Sequence, residues 1–478
     1  MKNAIVNLSV IFILCLISKS INAQIKVWTL KSCLDTAIEK NVLLNQTKLS
    51  SEINRINLEQ SKANRYPNLN LSDNQNFSFG RAVDPVLYQY LDQNISSNNI
   101  SLTSSITVFN GLQNYNAVIQ NQYYYDAGNL DIEKAKNDLS LEVVAAYLQI
   151  LDAYDAVDIA SAQIETSNSQ VERAQKYVDA GKFAIGSLYQ MQSQLSADKY
   201  SEVNANNQLA LSKVALMQLM EMSVTADFEI EKPELAEPEL NNIYSSNDIY
   251  KVAEQNQPQV KGAGIKINGA YTALKVAKGG VYPKLSLTGS LKTAYSDASR
   301  LISYQTIFQQ QTIGYLQSNP SDFVIGNVPS TVTQKNNYPV GKQFQNNFNQ
   351  FIGLSLSVPI FNNYIVKNNI DRSEINLKSI QLDERNIKNQ LRKSIEQAYT
   401  DELGGAKQYL AAKDQEKSEE KTYADIKTKF ENGAVSATDF IIEQNNFSKV
   451  KQALRQAKYK YIFKIKVIDF YLGNPLIL

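Results

Sequence analysis

The residue types that usually carry catalysis are scarce in this chain, and where they occur their spacing does not favour it. Its 478 residues include no histidine, which removes the commonest general base and metal ligand. Of its two cysteines, Cys15 lies in an apolar run near the N-terminus, and Cys33 has no histidine to take its proton. No glycine-rich phosphate loop follows a strand-like segment. Carboxylates recur at short steps, as in Asp152, Asp155 and Asp158. On a helix that step spreads them along a solvated face and pairs no acid with a base. The basic residues between Lys449 and Lys466 point several ways around their helix, and the formal net charge is only +1. Neither feature makes a stripe for nucleic acid. The sequence assigns no catalytic residue, no cofactor and no metal.

What the chain offers instead is repetition. Tyr177-Val178-Asp179-Ala180-Gly181 is followed seven residues on by Leu188 and eleven on by Gln192. At an offset of 252, Lys429-Phe430-Glu431-Asn432-Gly433 is followed at the same intervals by Phe440 and Gln444. Phe109-Asn110 and Phe361-Asn362 share that offset. Upstream, Tyr66-Pro67-Asn68-Leu69 echoes Tyr282-Pro283-Lys284-Leu285 at an offset of 216, so 36 residues are inserted between Pro283 and Phe361 in the second copy. A duplication that keeps register this long predicts one quasi-symmetric architecture. The divisions are a leader over 1–23, a first repeat over 24–226, a linker over 227–245 and a second repeat over 246–478.

The leader sets the compartment. Lys2 precedes an apolar run from Val6 to Ile17, and Ser18-Lys19-Ser20-Ile21-Asn22-Ala23 offers a cleavage site before Gln24, the pattern of a secretory signal peptide. Its removal takes Lys2, Lys19 and Cys15, leaving 46 basic and 47 acidic residues and one cysteine. One cysteine makes no internal disulfide.

After residue 23 no stretch approaches the ~20 apolar residues of a membrane helix, but a membrane strand needs only about ten alternating ones. Four segments fit, two per repeat. Leu69, Leu71, Phe77 and Phe79 alternate with Asn70, Ser72, Asn76 and Ser78, interrupted by Asp73 and Gln75. Ile100, Leu102, Ile106 and Val108 alternate with Ser101, Thr103, Ser105 and Thr107. In the second copy Leu285, Leu287 and Leu291 alternate with Ser286, Thr288 and Ser290, and Ile352, Leu354, Leu356 and Val358 with Gly353, Ser355 and Ser357. Period-two patterning predicts strands over about 66–81, 98–110, 282–297 and 347–361, each with one apolar face. An ordinary soluble hairpin is the competing reading of any one segment.

The rest reads as helix, over 31–65, 111–180, 186–225, 246–280, 363–431 and 436–472, nearly free of proline except for Pro258. Ile380, Ile387, Leu391, Ile395 and Tyr399 keep one face apolar, and Ala145, Ala146, Ala153, Ala156 and Ala160 allow close helix contact. A 70-residue helix is about 105 Å long, too long for one globular core, so these helices must pack along one another as coiled-coil-like hairpins over about 111–225 and 363–472. Gly181 and Gly433 fall where each hairpin turns. Asp227 to Ser246, with Pro233, Pro238 and six acidic residues, reads as a surface linker. Four strands cannot close a barrel, and in lipid an open edge leaves backbone groups unpaired, so further chains are required.

The whole mature chain resembles the TolC-like outer-membrane efflux family. The likeness rests on Trp28-Thr29-Leu30 leading into Cys33–Asn41, the two Tyr-Pro strand starts, the joins Val108-Phe109-Asn110-Gly111 and Val358-Pro359-Ile360-Phe361, and the two glycine turns. The resemblance implies a mainly α fold with β: a duplicated helix–strand–strand–helix–helix unit. Three chains would form a 12-stranded outer-membrane β-barrel continued by a long α-helical periplasmic barrel. It also implies no enzymatic activity, and export of drugs or toxic compounds with a periplasmic adaptor and an inner-membrane pump. Gly181 and Gly433 match the tips that dock on the adaptor. Asp439 matches an aspartate of the closed constriction. The second acidic gate position falls on Ile442, with Glu443 adjacent, and Val435 replaces a basic residue there. An exposed Asp439 capping the last helix is the competing reading. Alternatives for the whole are the outer-membrane component of type I protein secretion and, from a different class, a periplasmic coiled-coil scaffold or adhesin. The last predicts no alternating strand pairs.

Overall fold

The computed structural model describes residues 27–224, 227–233, 237 and 244–476. The leader and the part of the linker around Pro238 lie outside them. The first half runs β1 (Val27–Trp28), α1 (Leu30–Lys40), α2 (Val42–Ala63), β2 (Asn68–Ser78), β3 (Arg81–Val83), β4 (Tyr90–Asp92), β5 (Ile95–Asn110), α3 (Gln113–Asp179) and α4 (Ile185–Leu219). The second runs β6 (Glu229–Ile230), α5 (Ser246–Asn256), α6 (Pro258–Gly279), β7 (Lys284–Ser296), β8 (Arg300–Leu316), β9 (Asn319–Asn337), α7 (Val340–Asn346), β10 (Asn349–Ser357), α8 (Ile365–Glu431) and α9 (Ala437–Leu472).

The two sequence offsets reappear as element boundaries. Helices α1 and α5 have 11 residues each and α2 and α6 have 22, all displaced by 216. Helices α3 and α8 have 67 residues each, displaced by 252, which makes each about 100 Å long. Even the backbone turn that opens each long helix is duplicated, with positive φ at Gly111 and Leu112 and again at Asn363 and Tyr364.

Three expectations need correction. The helices expected over 31–65 and 246–280 are each broken, at Asn41 and at Gln257. Asn41 ends α1 and its Oδ1 accepts the Leu44 N–H at 3.0 Å, starting a new helix. Gln257 is extended (ψ 127°) because Pro258 disfavours helical geometry in the residue before it. The linker is only partly superficial. Phe228 and Ile230 are buried, and β6 pairs in parallel with β1 (Val27↔Glu229, Trp28↔Ile230). Finally, the insertion expected as a loop within 298–346 is a long antiparallel hairpin, β8–β9, followed by α7.

The chain divides into two compact units. One comprises the chain up to Arg55, Gln122–Gly269 and Leu377–Leu478. Its main core gathers Trp28, Cys33, Leu44, Val143, Tyr147, Ile150, Leu216, Met220 and Phe228. The expected apolar stripe of α8 is found there too, with Leu391 and Ile395 buried against Ile249, Ala253 and Val260. Among the described residues no helix is long and apolar enough to cross a membrane.

The other unit comprises Ile56–Asn121 and Ala270–Asn376. It carries a four-stranded antiparallel sheet in the order β10–β7–β5–β2. The register aligns Leu71, Leu102 and Leu291 across three strands, Leu287 with Ile106 and Leu354, and Leu285 with Leu356. All four alternating segments therefore point their apolar side chains to one face. The opposite face carries the row Ser72, Ser101, Lys292 and Asn349.

Candidate functional sites: the open sheet and the hairpin tips

Among the described residues nothing covers the apolar face of the sheet. Leu71 is 72% exposed, Leu354 67% and Ile352 82%. Strands β2 and β10 each pair on one side only. Alternate residues of an edge strand leave N–H and C=O unpaired, on the order of ten groups per edge for strands of this length. In water those groups are solvated; in hydrocarbon each would cost several kcal/mol.

At the far ends of the long helices two turns of one design come together. The Gly181 N–H donates to the Val178 carbonyl (2.9 Å) and the Lys182 N–H to the Tyr177 carbonyl (2.8 Å). The Gly433 N–H donates to Phe430 (3.0 Å) and the Ala434 N–H to Lys429 (2.8 Å). These are paired Schellman turns with a left-handed glycine, φ +69° and +73°. A Cβ added at either glycine would meet no atom within 4 Å, so both tips are open.

The sequence did not show that the two tips share a core. Ala174, Leu188, Met191, Phe430, Ala437 and Phe440 are buried together, with Phe183 and Val435 packed against them. Phe430 stacks on Phe440 at 4.6 Å, and Arg173 on α3 pairs with Glu431 on α8 at 3.0 Å. Val435, flagged as a lost basic residue, is thus an apolar contact of this core. Beside the core lies a buried polar layer joining three helices. Ser167 bonds Asp198, the Gln444 Nε2 donates to Ser167 Oγ (3.1 Å), and Gln194 and Asn445 exchange amide hydrogen bonds (3.0 and 3.1 Å). The only sequence signal for it was Gln444 recurring as a repeat marker.

Asp439 is exposed and forms a capping box with Ser436. Its N–H donates to Ser436 Oγ (3.1 Å), and its Oδ2 accepts the Ser436 N–H (3.3 Å). The first copy has Ala184 in the same place, with no side-chain cap. Glu443 lies one turn further along α9. Burial, and then the Glu419 carboxyl on α8, raise its pKa above the ordinary carboxylate value. Its Oε1 is closed off from solvent without a hydrogen-bond partner, while a side-chain hydrogen bond from Asn446 works in the opposite direction, favouring the ionised carboxyl. Ile442 is exposed. Among the described residues no cluster of carboxylates or cysteines could hold a metal ion.

An open-edged sheet with one apolar face and two 67-residue helices define the class, and comparison with known proteins names it. The outer membrane efflux protein family matches residues 33–220 and 249–474, and the chain belongs to that family. Outer membrane protein TolC of Escherichia coli is 21% identical over 389 residues, covering 80% of this chain and 70% of TolC. Among solved structures, the outer membrane protein VceC of Vibrio cholerae superposes with a TM-score of 0.73 at 14% identity, over 94% of this chain and 97% of VceC. The Campylobacter jejuni CmeC outer membrane channel gives 0.70 at 15% identity, over 93% and 85%. The protein is therefore an outer-membrane channel of the efflux class, with the TolC-like fold, and not an enzyme.

Proposed function

We propose that three copies of this chain form the exit duct of a tripartite efflux system exporting small molecules, together with a periplasmic adaptor and an inner-membrane pump. The observation that carries the reading is the sheet: one continuous apolar face, two bare edges, and only four strands. Three such sheets joined edge to edge give twelve strands with no free edge, lipid outside and Ser, Thr and Asn inside. A periplasmic scaffold or adhesin has no use for such a face. Transport energy comes from the pump, because the duct has no chemistry of its own. Deleting the gene should sensitise cells to toxic compounds, and restoring it should reverse the effect. Unchanged susceptibility with loss of a secreted protein would favour type I secretion.

In this reading the open tips at Gly181 and Gly433 take the adaptor, and three Asp439 carboxylates converge at the periplasmic mouth, with Glu443 behind them. A ring of like charge at a constriction attracts cations. Asp439→Asn keeps a capping oxygen and removes the charge. Planar-bilayer recordings should show reduced cation selectivity and weaker block by multivalent cations. Identical selectivity would leave Asp439 as a helix cap alone. The turns over 82–97 and the hairpin within 298–346 face the cell exterior, so a tag after Ser318, at the hairpin tip, should be reached by antibody on intact cells. Labelling only after the outer membrane is broken would reverse the topology.

A further inference from the structure

The insertion in the second repeat leaves a structural element that its own chain does not complete. Strands β8 and β9, of 17 and 19 residues, pair from Arg300↔Asn337 to Leu316↔Asn319, a ribbon about 55 Å long. Among the described residues they pair only with each other, and a two-stranded ribbon is marginal on its own. Both outer edges are bare. Tyr304, Phe308, Tyr315, Phe323 and Ile325 are each at least 60% exposed. Soluble edges are usually blunted by charge or proline. Between Leu301 and Gln334 the one charged residue is Asp322, and β8 holds no proline, whereas β9 holds Pro320 and Pro329. From Leu301 to Thr312, before the ladder shifts register at Ile313, the β8 edge is therefore an open template for strand addition.

The base of the ribbon is held firmly. The buried Gln343 of α7 accepts the Ser296 N–H (3.0 Å) and donates to the Ser296 carbonyl (3.1 Å). Ser296 also bonds the buried Asp84. The Thr293 hydroxyl donates to the Phe344 carbonyl (2.6 Å), and the Asn347 amide to Ala294 (2.8 Å). The ribbon leaves β7 after three residues and returns through α7 to β10, whose bare edge is the seam to the next chain. Three-fold repetition would set three such ribbons around one mouth.

We propose that the β8–β9 ribbon is an intersubunit clasp: the β8 edge of one copy docks on the ribbon of the neighbouring copy, extending the barrel seam beyond the sheet. A near-neutral surface of Gln, Thr, Asn and aromatic residues suits such self-association, since nothing on it steers a charged partner. The inference rests on the trimer reading, so size is measured first on detergent-purified wild-type protein. Gln305→Cys or Thr306→Cys on β8 is then combined with cysteines along β9 at positions too far away in the same chain to be bridged. Mild oxidation should give linked dimers and trimers at one β9 register. Replacing Arg300–Asn337 by a short turn should lower the temperature at which trimers dissociate in detergent, while insertion is retained. Trimers without intersubunit links at any register, and with unchanged dissociation after the deletion, would overturn the clasp. Links formed only to another surface protein would overturn it too. A monomeric wild type would remove the trimer reading itself.

Discussion

Partial burial, and then the Glu419 carboxyl on the neighbouring helix, hold the Glu443 carboxyl above the ordinary carboxylate range, against a hydrogen bond from Asn446 that favours the ionised form. The folded-state pKa of Glu443 is raised, so the protonated form stabilises the fold. That contribution is fully present below the unfolded carboxylate range and is lost as pH rises through the folded value. Hydrogen-exchange protection of the helix ends around residues 419–447 should therefore be greater in mild acid than at neutral pH, after correction for intrinsic rates. Glu443→Gln should flatten the difference. An unchanged pH dependence in that variant would assign it to other groups. Ser436→Ala should cost about 1 kcal/mol of local stability at the start of α9, visible as fraying in the same measurement. The cap was one of two readings of Asp439 in the sequence. The Glu419 contact was not legible, because it joins residues on separate helices whose rotation no spacing fixes.

At the scale of elements, three glycines separate architecture from exposure. A Cβ on Gly111 would fall 2.2 Å from the Gly279 carbonyl oxygen, at a φ of +64°. Gly111→Ala should therefore cost several kcal/mol and lower the yield of folded protein. At Gly181 and Gly433 the space is open, and a side chain meets only the left-handed penalty of roughly 1–2 kcal/mol. Gly181→Leu and Gly433→Leu should keep trimers and membrane location but impair export, read as drug susceptibility with adaptor pull-down. Normal export with normal adaptor binding would remove the docking role. The long helices and four sheet strands were legible because each buries or exposes one periodic face. The β8–β9 ribbon was not, because both its faces are exposed and its Gln and Asn-rich strands show no apolar alternation. The break at Asn41 was hidden because a helical pattern continues on both sides, whereas the break at Gln257 had a signal in the sequence, the single proline of that run, Pro258, directly after it.

The whole molecule is decided by edge arithmetic. About ten unpaired groups on each edge, at several kcal/mol apiece in hydrocarbon, far exceed the 5–15 kcal/mol that holds a typical domain folded. The sheet therefore cannot enter a membrane as a monomer. That closure was needed could be read from the strand count; the number of copies came from family likeness. Purified in detergent, the protein should form a three-fold symmetric particle of three chains, with a strand-built barrel at one end. In a planar bilayer it should conduct ions. A monomer that is released from membranes without detergent and opens no channel would contradict the account.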